Sequence, residues 1–205
     1  MKDRFGTFLV ETSDWIMRLV KTNFTWWIHI LMGGIVFGFF PATLALFATV
    51  RRWTRGDFDF PVWSSFHHCY RKHFWKVNGL GMIYLLVGIF IFIDILLANK
   101  VPGVLAVIVY FFLSFLFLIY LLSFTYFFSV YVHFQLPFKE YLKQPFIIML
   151  ISFKQNVLIL IGITLIGYFI YQMPGLIPFL SGVLPAYWIM NILMKQFNKL
   201  AVADS

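Results

Sequence analysis

Three groups of residues in this chain have types and spacings that could do chemistry. His67, His68, Cys69 and His73 fall within seven residues, and Cys69 and His73 are four apart, on one side of a helix. Nitrogen and sulfur donors of this kind suit zinc, which takes three or four ligands held by a further layer of hydrogen bonds. No HExxH pattern accompanies them. A histidine-rich stretch beside Arg71, Lys72 and Lys76 reads better as a surface facing lipid headgroups, so no metal and no cofactor is assigned. The second group is an intramembrane polar set: Asp94, Asn78, Asn156 and His133. Asp94 is the one acidic residue inside a long apolar run, which makes it a candidate for proton or substrate handling. It also lies about 9 Å along a helix from Lys100, close enough to snorkel outward or pair with it. His133 sits at the end of its apolar run, where an interfacial anchor is the plainer reading. The third group, Arg51, Arg52, Arg55, Asp57 and Asp59, is the densest cluster of charge. It serves as an orientation signal and lipid anchor, or as a docking face for a partner's loop.

Other chemistries find no residues to carry them. The serines have no Gly-x-Ser-x-Gly context, paired intramembrane carboxylates are absent, and there is no phosphate-binding loop. An enzyme is therefore not expected. The net charge of +8 comes without a base-stacking or nucleic-acid motif; anionic lipid headgroups are the expected partner and nucleic acid is not. The single cysteine permits no internal disulfide.

The elements that must position these groups follow from hydropathy. The chain is 61% hydrophobic, 21% aromatic and only 12% charged, where soluble domains carry about 25% charge. One membrane domain of 205 residues is expected, all-α, a polytopic bundle of about five spans with interfacial amphipathic helices. Residues 1–21 read as an in-plane helix, with Phe5, Phe8, Leu9, Trp15, Ile16 and Leu19 on one side and Asp3, Arg4, Glu11, Asp14, Arg18 and Lys21 on the other. Thr22 to Val50 is 29 residues without a charge, and the first span is placed at 24–50. A core of about 30 Å needs about 20 residues, so this segment must tilt, overhang or break. Gly33, Gly34, Gly38 and Pro41 offer a break, Pro41 by removing a backbone donor. Gly34, Gly38 and Ala42, four apart, also form a ridge for close helix packing.

The run ends at Arg51-Arg52, where hydrocarbon should give way to water. A basic loop over 51–76 follows. Gly56 turns it, Pro61 opens a second in-plane helix, and Trp53 lies among its arginines. Further spans are placed at 77–99, 104–133, 156–172 and 176–194, with turns at Pro102-Gly103 and Met173-Pro174-Gly175. Six Lys/Arg lie in the 51–76 loop, three follow Pro137, two close the chain, and the exterior turns hold only Lys100. The loop and the C-terminus are thus expected in the cytoplasm. Five spans leave the four amino-terminal basic residues outside, against that tendency. A re-entrant first segment would bring them in, but 29 residues is ample for one crossing and short for two, so five spans is the reading. Phe74-Trp-Lys76-Val-Asn78 and Ser152-Phe-Lys154-Gln-Asn156 echo one another at the starts of two spans, as a duplicated hairpin would.

Gly38, Pro41, Ala42, Thr43, Ala45, Leu46, Arg51, Trp53, Arg55, Gly56, Asp59 and Pro61 form a pattern of Gly-x-x-Pro-Ala-Thr-x-Ala-Leu, then Arg-x-Trp-x-Arg-Gly, then an acidic-Pro pair. This resembles the YesL family of bacterial membrane proteins, and length and span count fit over the whole chain. The resemblance implies a multi-pass protein of the Gram-positive plasma membrane, often encoded beside carbohydrate ABC transporters. It implies no established activity and no catalytic residue. The expected role is an accessory or partner subunit of carbohydrate uptake, bound to a sugar ABC permease or to itself. The competing expectation is a small stand-alone transporter or channel, oligomeric, using Asp94 and a kink at Pro41.

Overall fold

The computed structural model describes residues 2–100 and 102–203, and side chains over 10–100 and 102–199. Eight α-helices account for most of this: α1 (Lys2–Met32), α2 (Val36–Thr54), α3 (Val62–Ala98), α4 (Val104–His133), α5 (Glu140–Ile151), α6 (Phe153–Gln172), α7 (Ile177–Leu180) and α8 (Val183–Ala203), with a 3₁₀ turn at Pro174–Leu176. No strand occurs among the described residues. The all-helical expectation holds. α3, α4 and α6 are long and apolar enough to cross a membrane, as is the bent pair Pro174–Leu180 with Val183–Lys199 if it acts as one span. The chain divides into two units, Met1–Phe74 with Val157–Ser205, and Trp75–Asn156.

In the first unit, α1 runs without interruption through the expected boundary at residue 21. No Gly or Pro occurs between Thr7 and Met32 to stop it. The side chains of Phe5, Phe8 and Leu9 lie outside the described residues. Trp15 packs edge-on to Trp53, Phe58 and Tyr187, with ring centroids at 6.0, 5.3 and 5.8 Å. Of the expected apolar stripe, Trp15 is thus turned onto the protein's own aromatic residues, while Ile16 is exposed.

The segment expected as one helix over 24–50 is two helices. Gly34 ends α1 with φ +70°, its N–H bonding the Leu31 carbonyl at 3.0 Å while the Ile35 N–H reaches Ile30 at 3.0 Å. That paired bonding is the glycine helix stop. The chain then reverses within one residue: Ile35 has φ 68° and ψ −70°, and the Val36 N–H bonds Gly34 across it at 2.9 Å. α2 returns antiparallel along α1. Gly38 lies against the Ile30 carbonyl, the Trp26 indole donates to Thr43 at 3.2 Å, and Trp15 meets Trp53. The break lies at the Gly-Gly pair rather than at Pro41, because glycine accepts positive φ without cost. Pro41 sits in the second turn of α2, and the helix passes through it.

Ile35 is a β-branched residue in a region that suits glycine. Ile35→Gly is therefore expected to raise the unfolding midpoint of the detergent-solubilised protein by relieving about 1 kcal/mol of backbone strain, less the entropy glycine adds to the unfolded chain. Scanning fluorimetry reads this directly, and a lowered midpoint refutes it.

α2 forms the centre of the first unit. Residues 40–47 are buried without exception, facing α1 on one side and Ala186, Met190, Leu193 and Phe197 of α8 on another. Gly56, φ +81°, stops α2 as expected. α3 then begins at Pro61, whose carbonyl accepts the Ser65 N–H at 3.0 Å. The separate in-plane helix and span expected over 62–99 are one helix of 37 residues. The fifth span expected over 176–194 is bent by 58° at Ser181-Gly182.

In the second unit, α3 and α4 pack through Gly88, where any side chain would strike the Tyr120 ring, and the Tyr120 hydroxyl donates to the Tyr84 carbonyl at 2.9 Å. Tyr141 ties the link after α4, accepting from the Leu136 N–H and donating to the Phe134 carbonyl, both at 3.0 Å. The residues around Glu140 and Lys143, expected as loop, form α5. Its buried face (Tyr141, Pro145, Ile148, Met149) supplies the helical periodicity. Outward faces stay bare: only 6% of α4's most apolar window is buried.

Candidate functional site

The residues brought together beside the α1–α2 hairpin come from three helices. From α1, His29 is wholly buried, ringed by Trp63, Phe66 and Tyr70 of α3 at centroid distances of 5.0, 4.8 and 5.0 Å. Its Nδ1 lies 2.8 Å from the Thr25 carbonyl. A carbonyl only accepts, so Nδ1 carries the proton and Nε2 is left as an acceptor. That Nε2 lies 3.2 Å from Nδ1 of His67, which must therefore be the donor. The second nitrogen of His67 is left over.

His67 is half-buried and lines a cavity of about 620 Å³ with Trp63, Ser64, His68, Arg71 and Lys72. An adjoining cavity of about 440 Å³ shares Ser64 and His68 and adds Thr49, Arg52, Ser65 and Cys69. Neither has an acidic residue in its lining. Arg52 is committed elsewhere: its Nε is 2.6 Å from Asp57, its Nη1 donates to Ser65 at 3.3 Å, and its guanidinium lies 3.6 Å over the Phe60 ring. Burial, and then the charge of Arg55, hold the Arg51 guanidinium below its ordinary range; at neutral pH it still carries its charge.

The charge cluster read from the sequence is therefore a knit corner. Arg52 and Asp57 pair, Trp53 is buried against Trp15, Pro61 opens α3, and Arg55 and Asp59 are exposed. Gly38 and Pro41 lie buried in the hairpin. Among the described residues no three of His, Cys, Asp and Glu converge as a metal would need.

The intramembrane set is not gathered into one site. Asp94 is half-exposed near the end of α3 and lines none of the cavities described. Among the described residues the ion pairs are Arg52–Asp57 and Lys143–Glu140, so Asp94 does not pair with Lys100. Asn78 is buried on α3, and His133 lies against Phe134, rings 4.7 Å apart. Asn156 has a structural task. It accepts from the Tyr126 hydroxyl at 2.7 Å and donates to the Met149 carbonyl at 2.8 Å, bridging the break at Ser152 where the α5 hydrogen bonds end.

Asn23 does the same in the first unit. Its Oδ1 accepts from the Gly182 and Val183 N–H groups at 2.9 and 3.0 Å, and its Nδ2 donates to the Pro178 carbonyl at 2.8 Å. The backbone groups freed where α7 gives way to α8 are thus satisfied within the protein, as non-helical backbone at membrane depth requires. Asn23 and His29 escape a reading based on charge. Their signal is a polar stripe within an uncharged run: Thr22, Thr25, Trp26 and His29 recur at three- and four-residue spacing, and all are buried.

The other notable cavity, about 290 Å³ in the second unit, is walled by Ile83, Val87, Ile91, Leu116, Ile119 and Phe146, with Tyr84, Tyr120 and Ser123 as its polar groups. Its walls suit an acyl chain better than a sugar.

A family model described as "Protein of unknown function, DUF624" matches residues 19–95, which take in the hairpin and the histidine pair. The chain is 29% identical over 199 residues to the uncharacterized protein YesV of Bacillus subtilis (strain 168), covering 97% of this chain and 96% of that one. It is 34% identical over 192 residues to the uncharacterized protein YteU of the same strain, covering 93% and 86%. Against the uncharacterized protein YesL of that strain it is 34% identical over 134 residues, 65% of this chain and 63% of the other. No solved structure matches. With apolar helices fit for a membrane and likeness to YteU along nearly its whole length, the chain belongs to the DUF624 family of YesL-like membrane proteins.

Proposed function

We propose that this protein is an accessory subunit of the bacterial plasma membrane, working by association with a carbohydrate ABC permease rather than by catalysis or by carrying solute itself. The observation that carries this reading is how its buried polar side chains are used. Asn23, Asn156 and Tyr141, with half-buried Tyr120, all bond backbone groups, most of them at helix breaks or helix contacts. A solute path needs polar groups aimed into a cavity, and the largest polar cavities described lie around the first turns of α3. Meanwhile α4 presents a bare apolar surface on which lipid or another membrane helix can pack. The link to sugar uptake comes from the family resemblance alone.

Orientation belongs to the same proposal. The apolar parts of α1 and α2, residues 22–32 and 36–50, are about 16 and 22 Å long at 1.5 Å per residue, short of a core of about 30 Å. The hairpin then enters and leaves by one face. Fifteen of the sixteen Lys/Arg, with the 51–76 loop and both termini, lie in the cytoplasm.

Affinity purification of tagged protein from native membranes in mild detergent is expected to retain a sugar permease. Solute uptake by proteoliposomes holding this protein alone, abolished by Asp94→Asn, would instead establish a transporter. Tags at either end are expected to be unreachable from outside intact cells; a reachable amino-terminal tag overturns the re-entrant hairpin.

A further inference from the structure

The geometry points to an oxyanion site on the first three turns of α3, where a phosphate-class group is held by His67, His68, Arg71 and Lys72 while buried His29 fixes the proton on His67. It goes beyond the accessory role and does not depend on it. Two cations, Arg71 and Lys72, and two histidines that can become cationic line a single cavity without any carboxylate in its lining. Arg71 and Lys72 are exposed and make no ion pair among the described residues, unlike Arg52 next door, which Asp57 neutralises. Trp63 closes one side with an apolar wall and reaches back to touch His29.

The histidine pair sets this apart from a basic surface that only attracts headgroups. The Thr25 carbonyl holds a proton on His29 Nδ1, His29 Nε2 then accepts from His67 Nδ1, and Nε2 is the nitrogen of His67 left for the cavity. When His67 is neutral that nitrogen is a lone pair and repels an oxyanion. Once protonated it donates to one, while Nδ1 keeps its bond to His29. Bound oxyanion therefore favours the protonated ring, and affinity must rise as pH falls through the histidine range. The titratable and charged groups around His67 are His29 from α1, Arg52 of α2 in the adjoining cavity, and His68, Cys69, Tyr70, Arg71 and Lys72 from α3. The thiol, the phenol and the cations keep their charge state between pH 6 and 8. A cavity of about 620 Å³ is roomy for a bare ion and admits a phosphate carried on a larger group. A soluble phosphoester and a phospholipid headgroup both offer that chemistry.

The test uses full-length protein in a neutral maltoside detergent, with histidine side chains labelled for NMR; the five histidines give a readable spectrum. Two probes are titrated at constant ionic strength: inorganic sulfate, whose charge is fixed between pH 6 and 8, and monomeric short-chain phosphatidylglycerol. Saturable shifts of the His67 resonances are expected, several-fold tighter at pH 6 than at pH 8. Arg71→Gln with Lys72→Gln should weaken binding on the order of tenfold or more. His67→Gln should keep residual binding and lose most of its pH dependence, and His67→Gln with His68→Gln should lose it all. Response to sulfate assigns the site to a soluble oxyanion, and response to the lipid alone assigns it to a headgroup. No saturation with either probe overturns the proposal. So does binding indifferent to the Arg71/Lys72 pair, or pH dependence undiminished by His67→Gln.

Discussion

Asn23→Leu is expected to lower the unfolding midpoint of the detergent-solubilised protein by roughly 6 to 12 °C, or to abolish its accumulation in membranes. The side chain is wholly buried and serves three backbone groups at once: the Pro178 carbonyl and the N–H groups of Gly182 and Val183. Leucine keeps the same branched skeleton, with methyl groups in place of the amide oxygen and nitrogen. What is lost is the hydrogen bonding of three groups that water does not reach, each costing about 1 kcal/mol or more when orphaned. Together that is about 3 kcal/mol. The neighbouring packing gives no relief, because Gly182 already lies against the Trp26 ring, where an added Cβ would come within 2.7 Å. Scanning fluorimetry and yield of folded protein measure the effect. An unchanged midpoint would mean that the break between α7 and α8 is held by something else.

The second large effect is expected at Gly38. A Cβ there would overlap the carbonyl of Ile30, which belongs to the backbone of α1 and cannot rotate away. Gly38→Val must therefore push α2 off α1 and weaken the Trp26–Thr43 bond and the ring contacts behind it. The cost of forcing volume into a packed interface is about 1–3 kcal/mol, and the unyielding backbone puts this case at the top of that range. Gly34→Ala is the matched control. It has open space around it and positive φ, so it should cost only about 1 kcal/mol. If the two substitutions destabilise equally, close approach of α1 and α2 is not what Gly38 provides.

How much of this was legible in the sequence depends on whether a feature is local. The glycine at 56, the proline at 61 and the turn at Gly103 act through their own backbone, and each marks a helix boundary where expected. The Arg51-Arg52 junction likewise closes α2. Of the four breakers offered, Gly33, Gly34, Gly38 and Pro41, the chain uses the Gly33-Gly34 pair and not Pro41. A helix can lose one donor and continue, whereas two glycines followed by a reversal cannot be continued at all. The in-plane helices were divided from their neighbours by polarity, yet nothing in the backbone of residues 7–32 or 62–98 stops a helix. The candidate site was half visible. His67 and His68 stood out by type, but His29 is 38 residues away from His67 in sequence, and its role depends on the Gly34 reversal that folds α1 and α2 together. Asn156 was singled out as polar and intramembrane, but its bonds to Tyr126 and Met149 are a matter of tertiary structure.

The tight apex at Gly34-Ile35 also bears on biosynthesis. A helix that had to thread its leading end through the bilayer would drag Lys2, Asp3, Arg4, Glu11, Asp14, Arg18 and Lys21 across hydrocarbon, each an expensive passenger. At the hairpin's point Leu31, Met32, Ile35, Val36 and Phe37 are apolar and outward-facing. On the proposed orientation that apolar point leads, and the charged flank of α1 stays on the side it came from.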